Sequence, residues 1–194
     1  MPLRTISQFK TAVGGGGVRP NLFEVRLDAS NLTEFMGGVP AENLAFMCKA
    51  AALPAQNVAS IDVPFRGRQF KVAGDRTIEN WSITVINDED FLFRNAFEEW
   101  TQQIAALDDN MGSTNPASYM VNAKVYQLGR GSTQASQNNG GDSNVVLKEY
   151  EFIDIFPISV GAIDLSYENS DSIEEYPVEF AVQSYNVTGA GTAG

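Results

Sequence analysis

PFRGRQFKVAGDRTIENWSITVINDEDFLFRNAFEEW, residues Pro64 to Trp100, decides how the rest of the chain is read. It predicts a strand, a turn at Ala73-Gly74-Asp75-Arg76, a second strand and an amphipathic helix. Gly74 is there to supply the backbone freedom of a tight reversal. Trp81, Ile83 and Val85 alternate with Ser82 and Thr84, the period-2 pattern of a half-buried strand. Asn87 reads as a helix N-cap, with Asp88, Glu89 and Asp90 at the positive end of the helix dipole. Phe93, Phe97, Trp100, Ile104 and Leu107 recur at spacings of four and three and form one apolar face. Glu98, Glu99, Gln102 and Gln103 lie off that stripe, so the helix is expected to lie on a sheet with its aromatic face inward.

Outward from this stretch, more strands are expected. Phe23, Val25 and Leu27 alternate with Glu24, Arg26 and Asp28; extended segments follow over Leu44–Leu53 and Val58–Val63. Beyond the helix, strands are expected over Tyr119–Leu128, Val145–Phe156 and Tyr176–Val182, with a turn between Pro157 and Gly161 and a further alternating run at Ile163–Tyr167. The sum is a mainly β protein: a single β-sandwich or barrel-like domain flanked by one main α-helix. Residues 1–18 read as a flexible N-terminal arm hinged at Gly14–Gly17, 19–187 as the β domain, 129–144 as a mobile hairpin loop, and 188–194 as a frayed tail.

The chain has 194 residues and a net charge of −11, from 13 Lys and Arg against 24 Asp and Glu. That length supports one domain with a substantial core. No apolar run approaches the roughly 20 residues of a membrane helix. The opening residues lack the apolar segment of a secretory signal, which sets an expectation of cytoplasmic synthesis. An acidic surface repels nucleic acid. The absence of histidine excludes Ser-His-Asp and Cys-His catalysis and His-ligated zinc. The single Cys48 excludes an intramolecular disulfide and reads as a small core residue.

Four acidic pairs, Asp88/Asp90, Glu98/Glu99, Asp108/Asp109 and Glu174/Glu175, each have a local explanation in a cap, a helix surface, a loop or a strand entry. Neighbours on a strand point to opposite faces and do not make a carboxylate dyad. Asp108–Gly112 lacks the spacing and closing Glu of a calcium loop. No enzyme, cofactor or metal is expected. Arg66, Arg68, Lys71 and Arg76 concentrate positive charge in an acidic chain. They read as a solvated or subunit-contacting hairpin face, since surplus arms, loops and sheet edges call for pairing with another copy.

In their order along the chain, several segments resemble the tail tube proteins of contractile-tailed, T4-like bacteriophages. These are Arg19–Phe23, Pro64–Arg68, Lys71–Arg76, Trp81–Phe91, then Arg94–Glu98, Trp100, Phe156-Pro157 and Ile163–Tyr167. The resemblance implies a structural virion protein of hexameric rings, in which neighbouring strands join into a continuous inner β-barrel and rings stack into a hollow tube. It implies assembly in the host cytoplasm with a baseplate, a tape-measure protein, a tail terminator and a contractile sheath, and transient passage of DNA without specific binding. Related secretion and injection systems share the architecture. A monomeric β-sandwich carbohydrate-binding protein or hydrolase is the reading from a different class.

Overall fold

The computed structural model describes residues 5–12, 17–28, 44–109, 111–129, 145–168 and 171–189. The expected loop at 29–43, most of the glycine hinge, the loop beyond residue 129 and the last five residues lie outside them. The elements in order are α1 (Ile6–Ala12), β1 (Phe23–Leu27), α2 (Leu44–Met47), β2 (Cys48–Ala51), β3 (Asn57–Phe65), β4 (Arg68–Thr77) and β5 (Trp81–Ile86). There follow α3 (Leu92–Ile104), α4 (Pro116–Tyr119), β6 (Val121–Gly129), β7 (Val145–Val160), β8 (Glu175–Ala181) and β9 (Ser184–Gly189). All strand pairs are antiparallel.

Two four-stranded leaves share the long strand β7. Its first part lies between β6 and β9, with β1 beyond β6; its last part pairs with β8, which continues to β5 and β2. The outer strands β1 and β2 touch each other, so the leaves curl toward a barrel. β7 turns from one leaf to the other at Asp154, whose φ is 55°, and at a register shift between Pro157 and Ser159. The turn expected between Pro157 and Gly161 is therefore absent. A proline donates no ladder hydrogen bond, and this one sits beside an irregularity that tolerates it.

The core lies between the leaves. Trp81 stacks on Phe152 at 4.5 Å between ring centroids and lies 5.4 Å from Phe180. Trp81, Ile83 and Val85 are buried, as are Tyr176, Val178 and Phe180 on the paired strand. Phe97 and Trp100 of α3 each come within 6.0 Å of Phe180, and Phe93 is buried beside them. Both indole N–H groups are satisfied by backbone: Trp81 donates to the Ala52 carbonyl at 2.9 Å and Trp100 to the Tyr119 carbonyl at 2.8 Å. A buried indole closes a hydrophobic seam in this way without stranding its donor.

Several local expectations are corrected. The helix begins at Leu92, not after Asn87. The Asn87 side-chain amide and backbone N–H are both committed to Glu174, and Phe91, with φ 52°, forms the N-cap after a turn from Asp88. Leu107 is not on the packing face: the helix ends at Ile104, Ala105 is extended, and Leu107 is 86% exposed on the exit turn. Ile104 is half-buried against the core. Leu44–Leu53 is only partly a strand, because Leu44 is buried in the single helical turn of α2 that packs on β1. Ile163–Tyr167 pairs with no strand and is a loop. Thr188 and Gly189 belong to β9 rather than to a tail, opposite Glu149 and Lys148.

Candidate assembly surface

Among the described residues, β3 and β4 pair with each other and with no other strand. Their turn is Arg66-Gly67, not Ala73–Arg76. Both turn residues have positive φ, 47° and 81°, and Phe65 opposes Arg68 across it. Two left-handed residues make the two-residue reversal whose twist matches that of antiparallel strands. Gly74 lies within β4, next to a register shift, where an added Cβ would lie 3.1 Å from Ile61 Cγ1 and 3.3 Å from Ala59 Cβ. Its smallness serves close cross-strand approach rather than a turn. Pro64 is tolerated because β3 has a free edge.

Alternation gives the hairpin two unlike faces. Ile61, Val63 and Phe65 oppose Val72, Phe70 and Arg68 on one; Asp62 and Pro64 oppose Lys71 and Gln69 on the other. The first face is apolar yet open to solvent, with Phe65 at 66% and Phe70 at 65% exposure. At roughly 3.3 Å per residue, a ten-residue strand carries the turn about 30 Å from the base.

The four basic residues proposed for contact all lie on this hairpin, but they do not form one cluster. Arg66 and Arg68 flank the tip, with the Arg66 guanidinium 5.4 Å from the Phe65 ring centre. Lys71 is half-way down, paired with Asp62 at 3.1 Å, and Arg76 sits at the base opposite Val58. The expectation of a face of helix residues is divided likewise: Phe93, Phe97 and Trp100 turn inward, while Glu98, Glu99 and Gln102 are exposed. Arg94 clasps the helix start to the body. Its guanidinium donates to the Gly161 carbonyl and to Glu98, each at 2.5 Å, and lies 5.1 Å over the Tyr176 ring. Burial pushes the Tyr176 hydroxyl well above the ordinary tyrosine range.

A second exposed surface escaped the sequence reading. The segment between β7 and β8 borders a cleft of about 640 Å³ lined by Ile163, Asp164, Leu165, Tyr167, Ile173 and Glu175, among others. Leu165, Tyr167 and Ile173 are largely exposed. The signal for it was the same alternation that predicted a strand; with no partner strand, those side chains stay in solvent. Pro177 lines the cleft and accepts from the Gly161 N–H at 2.7 Å, and a Cβ on Gly161 would lie 2.5 Å from the Pro177 ring.

Of the acidic pairs, Glu174 and Glu175 are each engaged with a neighbouring side chain: Glu174 accepts from Asn87 and Glu175 from Lys49. Among the described residues, no group of three His, Cys, Asp or Glu side chains could hold a metal ion.

The sequence model of a family described as phage tail tube protein matches residues 18–188. The tail tube protein gp19 of Enterobacteria phage T4 is 34% identical over 168 residues, spanning 87% of this chain and 90% of that one. The tail tube protein of Serratia phage KSP90 is 24% identical, over 90% of this chain and 92% of that one. In fold, the chain is similar to the anti-feeding prophage tube-terminating cap (TM-score 0.58, 17% identity, 89% and 91% covered). It is also similar to a chain of the sheath–tube complex of an extracellular contractile injection system, PVC (TM-score 0.57, 12% identity, 97% and 100% covered).

Proposed function

This chain belongs to the phage tail tube protein family, a structural component of the virion, and we propose that its copies close into six-membered rings that stack into the inner tube of a contractile tail. The observation that carries the stacking is the β3–β4 hairpin, an exposed apolar and basic ribbon that, among the described residues, pairs with no strand of the body. An isolated two-stranded hairpin is marginal in water. Burial against another copy supplies the partner surface it lacks. The free sheet edges are the candidates for joining copies within a ring.

The bore passes DNA during ejection without holding it. A chain of net charge −11 offers no counterion-release gain to phosphates. Six such chains carry about −66 per ring, so stacking requires local charge matching or screening by salt. Arg66, Arg68, Lys71 and Arg76 supply positive charge on the stacking element. The exposed side of α3, with Glu98, Glu99 and Gln102, is the surface offered to a sheath, as its aromatic side is spent on the core. Baseplate, tape-measure protein and terminator complete the assembly, which takes place in the host cytoplasm.

A tube subunit of an extracellular injection system is the second reading, favoured by the shared fold with the PVC chain; the 34% identity to a phage relative favours the phage tail. Negative-stain electron microscopy of the purified chain, across a concentration and salt series and with tail baseplates as seeds, tests the proposal. Rings and hollow tubes are expected, and Arg66→Glu with Arg68→Glu is expected to stop stacking. A chain that stays monomeric even on its cognate baseplate overturns the reading.

A further inference from the structure

We infer that the cleft beside β8 is the seat of the hairpin tip of a second copy of this chain. The inference rests on the stacking read above and names its acceptor.

The two surfaces match in kind. The tip presents Phe65 and Phe70 with Arg66 and Arg68; the cleft presents Leu165, Tyr167 and Ile173 with Asp164 and Glu175. Both sets of apolar side chains stand in solvent in the single chain, and a monomer rarely leaves two such patches uncovered. They match in charge as well. The hairpin, residues 57–77, has four basic and two acidic side chains, whereas residues 161–177 have five acidic and no basic ones. In a chain with almost twice as many acids as bases, this places a cationic ribbon and an anionic loop on separate elements. Opposite potentials fix register and suppress wrong docking, while the aromatic anchors supply the desolvated centre. Neither Arg66 nor Arg68 is in an ion pair among the described residues, and Asp164 is likewise in none.

The surroundings support the seat. Pro177 of the lining accepts through its carbonyl from the Gly161 N–H, and Arg94 of α3 donates to the Gly161 carbonyl. Glu174 and Glu175 are held to Asn87 and Lys49. An acceptor whose base is fixed by the core loses little freedom when it is filled. Other exposed apolar side chains are Ile6 and Phe9 of α1, with no acidic residue among residues 5–12, and Phe91 and Leu107, which stand beside the shorter acidic runs Asp88–Asp90 and Asp108-Asp109.

The test is a pair of cysteines in the full chain, Phe65→Cys with Leu165→Cys, oxidised after tubes have formed. Cys48 is buried and does not compete. A disulfide-linked ladder of copies on a non-reducing gel is expected from the double variant, with none from either single variant. Tubes that form normally and give no ladder overturn the inference while leaving the stacked tube intact. No tubes from the unmodified chain, even on baseplates, overturns the stacked tube and the inference with it. A charge swap reads the same contact: Arg68→Glu should lower the sedimentable fraction at least tenfold, and adding Asp164→Arg should restore it. Asp164→Arg alone leaving assembly unchanged would count against the seat. Circular dichroism of each variant monomer separates misfolding from lost docking.

Discussion

β5 and β4 are neighbours in the chain and carry the same kind of pattern, yet they meet opposite fates. In β5, Trp81, Ile83 and Val85 are almost entirely buried. In β4, Phe70 and Val72 alternate just as regularly and remain exposed. The difference lies in what each strand pairs with. β5 sits inside a sheet whose inward face meets Phe152, Phe180 and the helix stripe of α3. Among the described residues, β4 pairs only with β3, and its apolar side chains are exposed. An apolar alternation states that a face will be covered; it does not state whether the cover belongs to the same molecule. In the body the chain covers itself. On the hairpin, among the described residues, that face stays open to solvent.

This contrast can be broken first at its strongest point. Trp100→Ala should cost about 3–5 kcal/mol of monomer stability in urea unfolding, since it opens the aromatic seam and removes the hydrogen bond to the Tyr119 carbonyl. A loss below about 1 kcal/mol would mean that the helix face is not part of the core. Gly161→Ala comes next, at about 1–3 kcal/mol, because its Cβ would meet the Pro177 ring and carbonyl. A thermal melt reads this, and an unchanged midpoint would show that the Pro177 ring can shift.

Cys48 sharpens the same comparison by pH. Burial pushes its thiol up to about 11 from 9.0, so the unfolded chain releases that proton first as pH rises. The stability it contributes is complete below pH 9 and is lost as pH climbs toward 11. Cys48→Ala should remove that part of the alkaline decline in a denaturant series across this window, and a parallel decline in both chains would count against a buried thiol. The smallest effect on stability belongs to the hairpin: Phe70→Ala should change the monomer by no more than about 0.5 kcal/mol. It should nevertheless raise the concentration needed for tubes. A large monomer loss there would mean that the hairpin face is covered within its own chain.

Part of this was open to reading from residues in order. β1, β5, β6 and β8 were expected within a residue or two of where they lie, because each has one buried and one exposed face. The reversal at Gly74 was misplaced because a glycine can mark either a turn or a close strand crossing, and Ile61 and Ala59, which decide between them, lie across the hairpin. The helix start was misplaced because Asn87 is taken by Glu174, 87 residues away. β9 was missed because its pairing partner is the distant strand β7 rather than a local turn. For the assembly surface, Arg66, Arg68, Lys71 and Arg76 were visible as a charge concentration, but their spread along a hairpin from tip to base was not. The cleft was invisible, as its apolar residues looked like one more strand.

By itself the sequence determined the mainly β class, the single main helix and its aromatic stripe, the buried cysteine and the family resemblance. All of these rest on local period, residue type or ordered motifs. Only the tertiary structure decided that β7 serves two leaves, that the basic ribbon stands free of the body, and that Leu165, Tyr167 and Ile173 border an acidic cleft instead of joining a sheet. The physical reason is that periodicity records which side of a segment avoids water, whereas pairing and cover depend on residues far along the chain.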